Sequence, residues 1–475
     1  MTEITPVLSG QDVLKATNGH LLKGEANVVC RGISTDTRTL QAGNLFVALK
    51  GETFDGHNYL DLAAERGAAG MLVQDRSTKP VSGRAAIYLV EDTLAALGNL
   101  AHYWRNGFSV PVIAITGSSG KTTTKEMLAG IVSQTKNVLK TEGNLNNLIG
   151  LPMTLFKLAS QHECAILEMG TNRRGEIARL TRIARPDIGL ITNIGPAHLE
   201  GLNSLDTIRE EKGDLFYYMG SEGTAVINMD DENVKAVSSH WRGKQFTFSM
   251  KDPADVMARN IRRMNSGGVS FQLIIGTSPY DIFMNIAGRH HVYNALAAAA
   301  TASALGMDDS SIVDGLAGFQ PVRGRMEVRR LANGASVIDD TYNANPASVA
   351  EALKALEGLR GAGSAVAVLG DMLELGEQSQ LLHESIGEIA AKSGLDRLLL
   401  KGDFAPAVAA GAAREGMPAD AVRFFQDDGE AVDFLKTYLH DGDWVLVKGS
   451  RRMKMEQIVQ GIAAAIGQKQ KLSEE

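Results

Sequence analysis

The 475-residue chain is too long for one ordinary core and is sized for about three domains. Apolar residues make up 44% and charged residues 22%; with a net charge of −7 and no large basic block, a nucleic-acid duplex is argued against as main partner, while local basic pockets for a phosphorylated small molecule are not. Cys30 and Cys164 form no metal-type pair and suit a reducing, cytosolic compartment; no apolar run reaches about 20 residues, so no membrane span is expected, and the N-terminus reads as no signal peptide.

In chain order, residues 1–86 carry short apolar runs broken by turns, such as GNLFVALKG at 43–51, and read as a small α/β unit. DTLAALGNLAHYWRNG reads as a helix leading into the strand VPVIAIT at 110–116. Over 87–321 strands and helices alternate. CAILEMG (164–170), DIGLITNIG (187–195) and TAVINMD (224–230) are short, apolar and followed by polar loops, as buried parallel strands are. ALAAAATASALG (295–306) is too weakly apolar to span a membrane and reads as a packed helix. Over 322–475 the order is SVIDD, a helix from Pro346 to Leu359, then SAVAVLGD, RLLLKGD and DWVLVKGS with helices between, which predicts a second doubly wound sheet. The KQKLSEE tail (469–475) is expected to fray.

The loop GSSGKTT (117–123) meets the end of the phosphate-loop pattern G-x-x-x-x-G-K-[ST] at Gly120, Lys121 and Thr122, but Ile115 stands where its first glycine belongs. The match is therefore false or a shorter variant. Its surroundings favour phosphate. A β-branched strand ends at Thr116, glycines allow positive φ, and a helix follows with Met127, Leu128, Ile131 and Val132 on one face. Amides at such a helix start favour anions, Lys121 adds a charge, and the Thr122 hydroxyl suits Mg²⁺. The plainer reading is a glycine-containing turn with an exposed lysine.

Glu168 closes an apolar strand, where ligands of parallel sheets bind; it is either a Mg²⁺ ligand or a glutamate facing solvent. His198 lies past another strand end, and a lone histidine is more often structural. In TIREEKGDLF, Lys212 shares a helix face with Ile208, Leu215 and Phe216, while Arg209, Glu210 and Asp214 point elsewhere. It either snorkels at the helix edge or is a buried amine of lowered pKa.

TGSSGKTT, TEGNLNNLIGLP (141–152), LEMG (167–170), NIGPAHLEGL (193–202), EKGDLF (211–216), AGRHHVYNALAA (287–298), GRME (324–327), DDTYNANP (339–346) and LGDMLELG (369–376) occur in this order. Together they resemble the Mur ligases of bacterial cell-wall synthesis along nearly the whole chain, and TGSSGKT is similar to that family's own short loop. NLNNLIGLP, DDTYNANP and LGDMLELGEQSQLLH resemble the branch that adds D-alanyl-D-alanine. The DNPR-type motif of the diaminopimelate- or lysine-adding branch is not found, and folylpolyglutamate synthases would not be expected to show TYNANP.

The resemblance implies three α/β domains: 1–86 binding a UDP-linked substrate, a central P-loop-type mononucleotide-binding domain with a parallel sheet at 87–321, and a Rossmann-like ligase domain at 322–475. It implies that ATP phosphorylates the terminal carboxylate of a UDP-N-acetylmuramoyl-tripeptide. The amine of D-alanyl-D-alanine would attack the acyl phosphate, and the resulting tetrahedral intermediate would collapse to an amide. Gly117, Ser118, Ser119, Gly120, Lys121, Thr122 and Thr123 would hold phosphates, and Thr122 with Glu168 one Mg²⁺. His198 would serve a second Mg²⁺, supported by Lys212 as its CO₂-derived carbamate. Asn294, Arg325 and Asp340 would touch adenine, phosphate and ribose. One departure is His291, where relatives usually carry asparagine, and it receives no adenine contact. Ser34, Asp36, Arg38, Lys50 and His57 are candidates for the UDP substrate, and Asn144, Asn146 and Asn147 for the region between nucleotide and tripeptide. Tyr342, Asn343 and Asn345 are candidates for the dipeptide, with Lys448, Ser450 and Arg451 behind them. A cytoplasmic monomer is expected. The competing readings are a sister ligase, a folylpolyglutamate synthase-like ligase, and a nucleotide-gated switch; for the last, INMDD (227–231) has Met229 where a guanine-reading N-K-x-D has lysine.

Overall fold

The run Val112–Thr116 is buried throughout, and its alternation divides it between two cores: Val112 and Ala114 face one, Ile113 and Ile115 the other. A strand covered on both faces must be apolar at every position, and each such side chain contributes about 1.5–3 kcal/mol on burial. In the computed structural model, which describes residues 6–74, 84–264 and 267–468, this strand lies within a nine-stranded sheet. The order is Ser278–Met284, Val269–Ile275, Val256–Arg263, Lys244–Ser249, Thr224–Asn228, Ile188–Ile191, Val112–Thr116, Cys164–Glu168 and Val138–Lys140. The pairings from Val138 to Met257 are parallel.

The last two pairings, over 256–284, are antiparallel. This extension went unseen in the sequence because its strands are only half-buried and alternate with polar residues. The alanine-rich stretch is a packed helix, His290–Leu305, lying against the helix Lys121–Val132.

Before this sheet, His20–Lys23, Ala86–Leu89, Gly70–Val73, Leu45–Val47 and Ile33–Ser34 form a five-stranded sheet in that order. The strand Ala86–Leu89 runs across the boundary expected after residue 86, because its hydrogen bonds to Gly70–Val73 and His20–Lys23 tie it to the first unit. After the central sheet, Glu327–Arg330, Ser336–Asp340, Trp444–Lys448, Ala365–Gly370, Arg397–Lys401 and Val422–Phe424 form a six-stranded sheet, parallel except at its first pairing. The helix Pro346–Leu359 has the expected bounds, with proline in its first turn where no N–H is needed. The KQKLSEE tail lies outside the described residues.

Candidate active site

The sheet ends at Thr116 and the chain turns through Gly117 at φ 148° and Gly120 at φ 79°. Both glycines are sterically required. A Cβ on Gly117 would lie 1.9 Å from Thr192 Oγ1, and one on Gly120 2.3 Å from Asn294 Oδ1. The loop is strapped to the segment after the strand Ile188–Ile191. Ser118 N donates to Asn193 O at 3.0 Å, Ser118 Oγ to Gly195 O at 2.7 Å, and Ser119 N to Asn193 Oδ1 at 3.0 Å. Lys121 begins the helix and donates to Gly117 O at 2.7 Å. Burial lowers its pKa; Glu168 opposes that and Arg325 adds to it.

Glu168 is 3% exposed, so it does not face solvent. Thr122 Oγ1 donates to its Oε2 and Asn146 Nδ2 to its Oε1, each at 2.8 Å, while its backbone N donates to Thr141 Oγ1 at 3.0 Å. Thr141 is held in turn by the buried Lys125, whose Nζ donates to its carbonyl at 2.5 Å. Sequence reasoning missed Lys125 and Thr141; their only local signal was a lysine on a helix face otherwise filled by apolar residues. Arg325 reaches across from the third unit, donating from Nη2 to Thr122 Oγ1 at 2.9 Å and stacking 4.0 Å over the Tyr342 ring.

Lys212, on the helix Leu205–Tyr218, is 1% exposed, which rules out snorkelling. No described residue hydrogen-bonds its amine. Burial pushes its pKa well below the usual 10.5, and the charge of Lys121 pushes it further. The neighbouring Glu211, also buried and not foreseen, accepts from Gly175 N at 2.6 Å and Ile177 N at 2.8 Å and so anchors the start of the helix Glu176–Ala184. His198 has a left-handed φ of 55°, and its Nδ1 lies 2.8 Å from Glu374 Oε2 of the third unit.

On the helix His290–Leu305, Asn294 lies 3.1 Å from His291 Nδ1. His290 Nδ1 and His291 Nε2 are buried without partners, and burial drives the pKa of His291 well below its usual value. Asp340 accepts from Lys448 Nζ at 2.5 Å and from Met326 N at 3.2 Å. Lys448 also donates to Asn343 O at 2.9 Å, and Asn343 Oδ1 accepts from Arg451 N at 3.3 Å. Asn345 caps the helix that follows: its Oδ1 accepts from Ser348 N at 2.9 Å. Its carbonyl oxygen is thereby committed to structure, whatever its amide touches.

One cavity of about 1070 Å³ is lined by Ser118 to Thr123, Asn144, Asn146, Asn147, Glu168, His198, Asn294, Arg325, Asp340, Tyr342, Asn343, Asn345 and Lys448. Gly117, Lys212, Ser450 and Arg451 are not in its wall. Nor are Ser34, Asp36, Arg38, Lys50 and His57. Those five keep local company: Arg38 forks onto Asp36, Ser34 Oγ donates to Asp36 O at 2.9 Å, and the backbone of Lys50 pairs with that of Asp55. His57 Nδ1 donates to Asp55 at 2.6 Å, since its Nε2 must accept from Gln74 N at 3.1 Å. The hydroxyl of Thr122 and the carboxylate of Glu168 form a hard-oxygen pair that suits Mg²⁺. Among the described residues no cluster of three or more His, Cys, Asp or Glu side chains forms a metal centre.

A glycine loop at a parallel strand end, backed by a buried carboxylate, defines an α/β protein of the phosphate-loop class. The comparisons narrow this. The chain matches the Mur ligase middle domain over 115–302, the Mur ligase glutamate ligase domain over 324–451, and the Mur ligase family catalytic domain over 29–105. It is 36% identical to the UDP-N-acetylmuramoyl-tripeptide--D-alanyl-D-alanine ligase of Escherichia coli (strain K12), over 97% of this chain and 98% of that protein. MurF from Acinetobacter baumannii superposes with a TM-score of 0.89 at 34% identity, over 97% of this chain and 100% of that one. MurF ligase from Thermotoga maritima in complex with ADP gives 0.82 at 30% identity, over 91% and 97%. The chain belongs to the Mur ligase family.

Proposed function

We infer that this chain is an ATP-dependent amide-forming ligase that joins D-alanyl-D-alanine to the terminal carboxylate of UDP-N-acetylmuramoyl-tripeptide, a step in building peptidoglycan precursors. The observation that carries the reading is the convergence of Lys121, Thr122, Glu168 and Arg325 on one cavity, in a chain similar to such ligases over 97% of its length. Phosphoryl transfer asks a protein for positioning and charge neutralisation more than for covalent help. The loop amides and Lys121 bind and orient the phosphates of ATP. Arg325 meets the same groups from the third unit, adding charge as the terminal phosphoryl group passes to the tripeptide carboxylate. The dipeptide amine then attacks the acyl phosphate, and phosphate leaves. Bringing the units together excludes water from that intermediate.

Mg²⁺, held by Thr122 and Glu168 with a second ion near His198, would neutralise phosphate charge. The low pKa of Lys212 supports its carbamylation, because a neutral amine is the form that reacts with CO₂. Adenine and ribose are assigned to Asn294 and Asp340, and the dipeptide to the neighbourhood of Tyr342 and Asn343. The first unit is proposed to take the UDP moiety through Ser34, Asp36, Arg38, Lys50 and His57. Uptake of that moiety by residues outside the cavity needs the long substrate to lie across two units. A cytoplasmic monomer is proposed; among the described residues no helix is long and apolar enough to cross a membrane.

The test is mass spectrometry of the product from ATP, D-alanyl-D-alanine and tripeptides ending in diaminopimelate or lysine, with phosphate release measured across a panel of amines. The expected product is the tripeptide plus the dipeptide less one water. Release stimulated by diaminopimelate or glutamate, and not by D-alanyl-D-alanine, would overturn the reading in favour of a sister ligase or a folylpolyglutamate synthase-like enzyme.

A further inference from the structure

Glu374 lies in the LGDMLELG segment of the third unit, in a loop held to its own unit at two points. Met372 N donates to His383 Nε2 at 2.9 Å and Leu373 N to Ser450 Oγ at 2.8 Å. From this anchored loop Glu374 grips the central unit twice. Its Oε2 lies 2.8 Å from His198 Nδ1, and its backbone carbonyl accepts from Glu200 N at 3.0 Å. Two residues later Gly376, at φ 57°, packs so close that a Cβ would lie 3.2 Å from Glu200 Cα. Both partners hold a left-handed backbone, His198 at φ 55° and Glu374 at φ 66°, which non-glycine residues adopt only when the surroundings impose it.

A half-exposed histidine–carboxylate contact adds little to stability, so strength is a poor account of it. Orientation is a better one. A carboxylate only accepts, so Nδ1 must carry a proton, and in the neutral imidazole the lone pair is then left on Nε2. The ring plane is fixed by the same bond. His198 lines the cavity, and so does Glu374, its partner from the third unit. Both grips come from one residue of the third unit, so separating the units would break them together.

We propose that Glu374 is a positioning residue that sets the tautomer and ring orientation of His198, so that this side of the cavity is complete only while the third unit is docked. The proposal deepens the ligase reading above and rests on it for the consequence in turnover. The experiment uses the full chain, with Glu374→Ala and Glu374→Gln, and reads two quantities. Steady-state kinetics should show kcat of Glu374→Ala lowered by about 10- to 100-fold, with KM for ATP nearly unchanged. Glu374→Gln, whose amide oxygen still accepts, should recover most of the loss. Ring nitrogen chemical shifts of ¹⁵N-histidine-labelled protein, with the His198 signals assigned by their loss in His198→Asn, should show the Nδ1–H form in the wild type and a mixture in Glu374→Ala. Wild-type kcat in Glu374→Ala, or lost activity with unchanged His198 signals, would overturn the proposal. If Glu374→Ala does not fold, Glu374→Met, close in size, carries the same two readouts. A wild-type chain that makes no amide would defeat the ligase reading alone, since the ring signals need no substrate.

Discussion

Thr122 finds its two side-chain partners 46 and 203 positions away in the chain, whereas Asp36 bonds a partner two positions away and His57 partners two and 17 positions away. Both regions offer similar polar residues beside glycine turns. In the central unit, folding gathers distant charges and buries them, which costs free energy that a bound phosphate can offset. In the first unit, Asp36 with Arg38 and Asp55 with His57 make contacts that any such turn can make alone. The difference teaches that a charged group kept buried through long-range contacts is better evidence for a site than a polar motif satisfied by its neighbours.

The largest expected effect falls on the long-range side. Lys121→Met should keep its fold and lose about 10²- to 10³-fold in kcat, measured as phosphate release with all substrates present. A loss below tenfold would place the charge that matters elsewhere. Next, Gly120→Ala should cost about 1–2 kcal/mol of stability, since φ 79° disfavours a side chain and the new Cβ meets Asn294. Chemical denaturation would read this, and an unchanged midpoint would mean that the loop relaxes freely.

A third measurement probes a contact of intermediate range. His383 accepts from Met372 N through Nε2, and burial lowers its pKa below the usual 6.5. As pH falls through about 6.5 the unfolded chain takes up a proton that the folded chain refuses, so stability should drop on acidification. His383→Gln should remove that part of the slope in melting curves between about pH 5 and 7; an identical slope in both proteins would refute it. The smallest effect belongs to the first unit. Arg38→Ala should leave the melting temperature unchanged, because its pair with Asp36 is exposed. A raised KM for the UDP-linked substrate would then move Arg38 from turn chemistry to substrate binding, and an unaltered KM would remove it from the site.

What was legible in the sequence was whatever depended on spacing. The strand–turn–helix order around Gly120, the apolar helix face that Lys212 shares and the bounds of the helix Pro346–Leu359 all follow from local periodicity and turn chemistry, while periodicity alone left Lys212 open between snorkelling and burial. Glu168 was placed at its strand end, but the clamp of Thr122, Asn146 and Thr141 around it was not. Glu374 could not be found at all, since 176 positions separate it from His198 and only the docking of two units brings them together. The half-polar strands over 256–284 escaped for a different reason: a solvated face hides the apolar run that marks a buried strand. Asn345 was singled out by motif alone; the structure puts it in the cavity wall and also uses its side-chain oxygen to cap a helix, a second role the motif did not show.

The clamp on Glu168 bears on the speed of repeated turnover. A free glutamate samples several rotamers, and stilling it costs about 1–2 kcal/mol. Here both carboxylate oxygens are held in the folded central unit. That disorder is removed once in the life of the folded chain, and a nucleotide bound as proposed above would meet an acid group already aimed.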